Sequence, residues 1–157
     1  MKFENSCIIA VSRQALWDYV IVVPNVAACM PGVEEVQALD DHRFTGVLSL
    51  KVGIVKLRLR GEILVEFMDP TSYMARMSVL AADPKVSGRV QARLTLQLEE
   101  IAPQETKLTV QTDLNLLGKI GEFGLGIIRK KADQTMAEFA RQLAARMRGA
   151  AGLRQGS

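Results

Sequence analysis

From Val33 to Asn115 apolar and polar residues alternate with period two, and then the spacing switches to 3.6 residues and stays there almost to the end. A strand sends successive side chains to opposite faces, so a period-two run of this length commits the chain to an antiparallel meander. Turn signals divide the run at Asp40-Asp41-His42, Asp69-Pro70-Thr71, Asp83-Pro84 and Ala102-Pro103-Gln104-Glu105. The phase is clearest from Val55 to Phe67. There Val55, Leu57, Leu59, Ile63, Val65 and Phe67 share one face, and Lys56, Arg58, Arg60, Glu62 and Glu66 share the other. Likewise Val90, Ala92, Leu94, Leu96 and Leu98 oppose Arg89, Gln91, Arg93, Thr95, Gln97 and Glu99. A sheet that is wet on one side and greasy on the other needs a cover for the greasy side.

The cover follows directly. Over residues 118–148, Ile120, Phe123, Ile127, Ile128, Ala132, Met136, Phe139 and Leu143 form one broad apolar stripe at helical spacing. About thirty helical residues reach roughly 45 Å, enough to cross a whole sheet. Ahead of the meander, alternation over residues 2–11 predicts a first strand. Ser12 is the expected N-cap of a short helix carrying Leu16, Trp17 and Val20. Pro24 opens a second short helix, which Pro31-Gly32 ends. The expectation is an α+β fold: about seven antiparallel strands curved around a long C-terminal helix, with two short helices between the first two strands.

The chain has 157 residues, 48% of them hydrophobic and 24% charged, which suits one domain over residues 1–148 followed by a flexible basic tail over 149–157. No run approaches a membrane span and no secretory leader is visible, so a cytoplasmic location is expected. Cys7 and Cys29 match no disulfide or zinc framework. The net charge of +3 is unevenly spread. Residues 1–118 hold 12 Lys+Arg against 14 Asp+Glu, whereas residues 119–157 hold 8 against 3. A basic end on an otherwise slightly acidic body points to a local anionic partner or a solvated helix face, and away from nucleic-acid binding by the whole domain.

Catalytic chemistry has little to stand on. Walker, GxSxG, HExxH and dinucleotide motifs are missing, and the single histidine, His42, sits in a turn without a second ligand nearby. Neither a metal nor a cofactor is expected. The polar candidates for the interior are Tyr73, Thr112 and Asn115, with Tyr73 and Asn115 the best pair for an enzyme. Cys29 lacks a base in its neighbourhood and reads as structural. Met30, Met74, Met77 and Met136 are assigned inward, where thioether side chains adapt to irregular shapes or ligands. Gly118, Gly121, Gly124 and Gly126 are costly in a helix. They mark a loop before it, close packing against the sheet, or room for a ligand.

Several segments carry a resemblance. Leu16-Trp17-Asp18-Tyr19, the stretch Pro24-Asn25-Val26-Ala27-Ala28-Cys29-Met30-Pro31-Gly32-Val33 with its C-x-P-G pattern, Lys51-Val52-Gly53-Ile54-Val55-Lys56 followed by Gly61, and Leu117-Gly118-Lys119-Ile120-Gly121-Glu122-Phe123-Gly124 leading to Phe139 are similar to the carbon monoxide dehydrogenase G-subunit family. That family belongs to the SRPBCC, START or Bet v 1-like helix-grip superfamily. A departure falls at residues 80–88, where members are commonly glycine-rich. The resemblance implies a non-catalytic accessory protein. It would hold a lipid- or quinone-like molecule and help recruit a molybdenum hydroxylase, such as carbon monoxide dehydrogenase, to the inner membrane face. Together with the residue reading it nominates Met30, Leu57, Leu59, Tyr73 and Met74 as ligand-binding, with Met77, Leu94, Phe123, Ile127 and Met136. Arg129, Lys130, Lys131, Arg141, Arg146 and Arg148 are nominated for docking to membrane or partner. The alternatives are a cyclase- or hydrolase-like enzyme of the same superfamily acting on a hydrophobic substrate, and a filled-core interaction module. The latter would dock an acidic partner through Lys56, Arg58 and Arg60 or through the basic end.

Overall fold

In the computed structural model, residues 1–155 are described, with side chains through Arg148. Strand β1 (Lys2–Ile9) leads into helices α1 (Arg13–Val20) and α2 (Val23–Cys29), followed by β2 (Val33–Ala38), β3 (Arg43–Val52), β4 (Val55–Asp69), β5 (Met74–Asp83), β6 (Gly88–Ala102) and β7 (Glu105–Gly118). The chain closes with helix α3 (Leu125–Gln155). The seven strands form one antiparallel sheet in the order β1-β7-β6-β5-β4-β3-β2, so the meander is read in sequence order and the first strand pairs with the last. This is the helix-grip arrangement. The expected tail at 149–157 lies outside the described side chains, and Gly156 and Ser157 outside the described residues altogether.

Local chemistry explains the boundaries. The Ser12 side chain accepts a hydrogen bond from the Ala15 N–H at 3.2 Å, an N-cap of the kind that stabilises a helix by about 1 kcal/mol. Pro24 occupies the first turn of α2, where its missing N–H costs nothing. All four anticipated turns separate strands. A fifth, at Gly53-Ile54, divides β3 from β4 without a Pro or Asp cluster to announce it. Gly118 ends β7 with φ +77°, and a Cβ there would stand 1.9 Å from the Ser87 carbonyl oxygen. Only glycine fits this crossing. Helix α3 therefore begins at Leu125, after a single 3-10 turn over Lys119–Glu122, and not at Gly118.

Two packed clusters hold the grip closed. At one end Leu16, Trp17, Cys29, Leu98 and Leu108 enclose Phe139, Leu143 and Met147 of α3. Leu16, Leu108 and Leu143 are 0% exposed. Burial of each such side chain stabilises by about 1.5–3 kcal/mol. At the other end Val52, Leu57, Leu59 and Ile120 meet Ile128 near the start of α3. A small third cluster joins Val23, Phe44 and Val65.

One phase assignment changes. Val65 pairs with Met77, but Phe67 pairs with Arg76, because a bulge at Glu66 consumes one residue of β4. Phe67 therefore leaves the face it shares by simple alternation with Val65 and turns to the convex side. There the Arg76 guanidinium lies 5.1 Å from its ring centre.

Candidate ligand-binding face

Cross-strand register defines the concave floor. One row runs Phe3, Thr112, Leu94, Met77, Val65 across β1, β7, β6, β5 and β4, and the next runs Leu114, Ala92, Val79, Ile63, Phe44. Residues directly opposite one another share a face, so each row is a continuous strip. Met77, Val79, Ala92, Leu94 and Thr112 are all half-buried. None of the five belongs to the packed clusters at either end. The middle of the floor is thus less covered than its two ends, and it is apolar apart from the Thr112 hydroxyl.

Small residues lie beside this middle, towards the second cluster. Gly46 pairs with Gly61 and Gly61 with Ala81, one row beyond Val79 and Ile63. A Cβ at Gly61 would lie 2.1 Å from the Leu80 carbonyl oxygen, so β4 approaches β5 here more closely than a side chain allows. A crevice of about 300 Å³ opens between α3 and β1, lined by Phe3, Glu4, Asn5, Arg129 and Asp133. Asn5 spans it by donating to Asp133 at 2.7 Å. Through Phe3 it reaches the first floor row. A larger open groove, about 480 Å³, lies at the far edge of β5 and β6 beside Asp83. The Asp83 carboxylate is already used there by the Arg58 and Lys85 N–H groups, at 2.8 and 3.0 Å.

Of the nominated ligand residues, Met77 and Leu94 lie together on the floor. Met30, Tyr73 and Met136 are half-buried against the first cluster, and Phe123 against the second. Leu57 and Leu59 are buried within the second cluster, at 6% and 8% exposure. Two assignments are corrected. Met74 pairs with Gln97 and with Asp69, which places it on the convex face, because strand residues three apart cannot face the same way. Ile127 is 48% exposed, since the buried stripe of α3 runs through Ile128 and one helical residue turns the side chain by about 100°. Sequence reading missed Val79 as a floor residue. Its pairing with Ala92 could have been found by carrying the β6 phase across the Asp83-Pro84 turn.

The enzyme pair does not assemble. Asn115 pairs with Gln91 and is exposed on the convex face, across the sheet from Tyr73. Tyr73 packs edge-on to Trp17 at 5.7 Å, lies under the Arg13 guanidinium at 4.1 Å, and donates its hydroxyl to Gln14 at 2.8 Å. Burial pushes the Cys7 and Cys29 thiols up, away from the reactive thiolate; for Cys29 the nearby Arg146 opposes this in part. Among the described residues, no three His, Cys, Asp or Glu side chains come together as a metal-holding group. No buried side-chain nitrogen or oxygen among them lacks a partner. What the floor offers a ligand is mainly apolar contact.

The basic residues of α3 divide. Arg141 is engaged with Glu138 through two bonds, of 2.6 and 3.0 Å, and Arg146 donates to the Ala28 carbonyl at 3.2 Å. Lys131 is half-buried, and Arg129, Lys130 and Arg148 are exposed. On the convex face Arg58 pairs with Glu34 at 2.8 Å and Arg60 stands 4.0 Å from Glu35, so these arginines are not a free basic patch. No helix among the described residues is long and apolar enough to cross a membrane.

Comparison with solved structures supports the fold over nearly the whole chain. A conserved protein from Geobacillus kaustophilus superposes with a TM-score of 0.85 at 17% identity, covering 96% of this chain and 97% of that one. A START superfamily protein from Mycobacterium smegmatis gives 0.70 at 11% identity, covering 95% and 98%. The Zhui aromatase/cyclase from Streptomyces sp. R1128 gives 0.69 at 12% identity, covering 94% and 93%. No curated protein sequence matches. The model of the carbon monoxide dehydrogenase G-subunit (CoxG) family matches residues 6–148. With that match spanning both short helices, the full meander and most of α3, the chain belongs to the CoxG family, that of the carbon monoxide dehydrogenase G-subunit.

Proposed function

We propose that the protein is a non-catalytic accessory factor that holds a lipophilic molecule, of lipid or quinone type, on the concave floor and serves a molybdenum hydroxylase such as carbon monoxide dehydrogenase. One observation carries the reading: the floor centre at Met77, Val79, Ala92, Leu94 and Thr112 is apolar and half-covered, between two ends that are packed shut. An apolar floor under a helix favours a ligand whose surface is mostly hydrocarbon or ring. Met77 suits such a ligand because a thioether chain adapts to its outline. The lone Thr112 hydroxyl offers a hydrogen bond to one oxygen of it.

General acid–base chemistry needs a titratable group within reach of the substrate, and the two central rows contain none. Family membership supports the accessory role, with its action at the inner membrane face. The test is mass spectrometry of organic extracts from protein purified without detergent, beside an Ala92→Trp variant that fills the floor. Unaltered protein should yield a stoichiometric lipophilic compound and the variant should lose most of it. Equal yields from both would remove the floor as the site.

A further inference from the structure

The geometry points to a lipid-facing tip at one end of the molecule: we propose that the β3–β4 hairpin and the first turns of α3 dock together on an anionic bilayer surface. The proposal rests on the ligand reading above for its purpose, because a protein that takes up a lipophilic molecule must reach the phase in which that molecule dissolves.

Ile54, at the hairpin turn, is 93% exposed, and Leu125 and Ile127 at the start of α3 are 42% and 48% exposed. Packing brings these segments together. Val52, two residues before Ile54, and Ile128, one residue after Ile127, lie in the same buried cluster with Phe123 against it. Three aliphatic side chains therefore project from one end of the grip, and none of them joins a packed cluster among the described residues.

Cations flank them along the chain. Segments 51–56 and 119–130 contain Lys51, Lys56, Lys119, Arg129 and Lys130 against the single acid Glu122. All five are exposed, and none forms an ion pair among the described residues. Lys51 and Lys56 stand directly opposite each other across the hairpin. Like charges so placed destabilise a hairpin, and an anionic surface would relieve that cost.

The chemistry favours lipid over protein. Protein interfaces concentrate Trp, Tyr and Arg and are depleted in Lys. This end carries exposed aliphatic residues on segments whose cations are mainly lysine, a residue whose long stem can lie along acyl chains while its ammonium stays at the headgroups. The other end of α3 differs, with Arg141 and Arg146 already committed to Glu138 and Ala28.

Co-sedimentation of the full chain with phosphatidylcholine vesicles, with and without phosphatidylglycerol, tests the tip. Binding should require phosphatidylglycerol and fall at raised salt. Ile54→Ser should weaken it about tenfold and the pair Lys51→Gln with Lys56→Gln by about fivefold per residue, while Arg141→Gln with Arg148→Gln stays within about twofold. Thermal unfolding of Ile54→Ser should match the unaltered protein, which separates lost docking from lost folding. No preference for anionic vesicles, or tip variants that bind as the unaltered protein does, would overturn the proposal and leave a protein partner as the candidate for this end. Ligand recovered from Ile54→Ser protein reports separately on the floor. A full ligand load with lost vesicle binding supports the tip, whereas vesicle binding by protein that never carries ligand sinks only the reading of the floor.

Discussion

Leu94 and Leu98 lie four residues apart on β6 and face the same way, yet Leu98 is 1% exposed and Leu94 is half-buried. The difference comes from what stands opposite. Beneath Leu98 the two short helices add a second layer, so Leu16, Trp17 and Cys29 complete the enclosure that Phe139 and Leu143 begin. Leu94 lies outside that cluster, and its neighbours Met77 and Ala92 are likewise half-buried. A single sheet face thus serves as closed core at one end and stays half-covered in the middle, where the ligand is proposed to sit. What distinguishes the packed end is the layer that Leu16, Trp17 and Cys29 of the short helices add there, not the hydrophobicity of the strands.

The largest test of that division is truncation of paired leucines. Leu98→Ala or Leu143→Ala removes a side chain from a closed core and should cost about 2.7–5 kcal/mol, read by urea or thermal unfolding. Leu94→Ala should cost less than about half of that and lower ligand content instead. Equal destabilisation at Leu94 and Leu98 would mean that the floor is packed as tightly as the end, and the site would have to be sought elsewhere.

Much of this contrast is legible in the residues themselves. The switch from period two to period 3.6 dictates a sheet with a covering helix, and Ser12, Pro24 and the Asp-Pro turns mark boundaries with local chemistry that needs no tertiary partner. The site is less legible. Simple alternation carries the phase of β4 through Phe67, but the bulge at Glu66 reverses it, and nothing in the residue types around Glu66 marks the extra residue. Met74 is a different kind of miss. Its spacing of three from Met77 already forbids a shared face on one strand, so parity is the available signal, and methionine's suitability for pockets outweighs it only by mistake. Asn115 likewise follows from the parity of β7 once Thr112 is placed inward. For Ile127 the expected stripe is right to within one residue, and one residue on a helix decides between buried and exposed. Which strand residues remain uncovered depends on how far α1 and α2 extend over the sheet, a tertiary fact that strand periodicity does not encode.

A smaller effect compares the glycines around the start of α3. No atom beyond its own stretch of helix lies within 4 Å of a Cβ built on Gly126 in the first turn, whereas one on Gly118 would collide with the Ser87 carbonyl. Gly126→Ala should therefore raise stability by about 0.5–1 kcal/mol, because it narrows the unfolded ensemble and meets no obstacle. Gly118→Ala should lower it by more than that. A loss at Gly126 would show that this end of α3 is packed against something it does not touch here, and the contrast between the two ends of the helix would weaken.

The smallest effect distinguishes the cations of α3 by pH. Hydrogen bonds from Arg141, and then Gln142, hold the Glu138 carboxyl below the usual carboxylate range. A carboxyl whose pKa is lower in the folded chain contributes stability above its unfolded value, and that contribution disappears as pH falls through the folded one. Unaltered protein should thus exceed Glu138→Gln slightly in thermal stability at about pH 7, and the gap should close on acidification towards about pH 3 and shrink with salt. Arg129 and Lys130 have no such partner among the described residues, so Arg129→Gln should leave the same acid limb of the profile unchanged. A gap for Glu138→Gln that widened towards acid would reverse the sign expected of this pair. It would also free Arg141, and with it the far end of the helix, to compete for the anionic surface assigned to the tip.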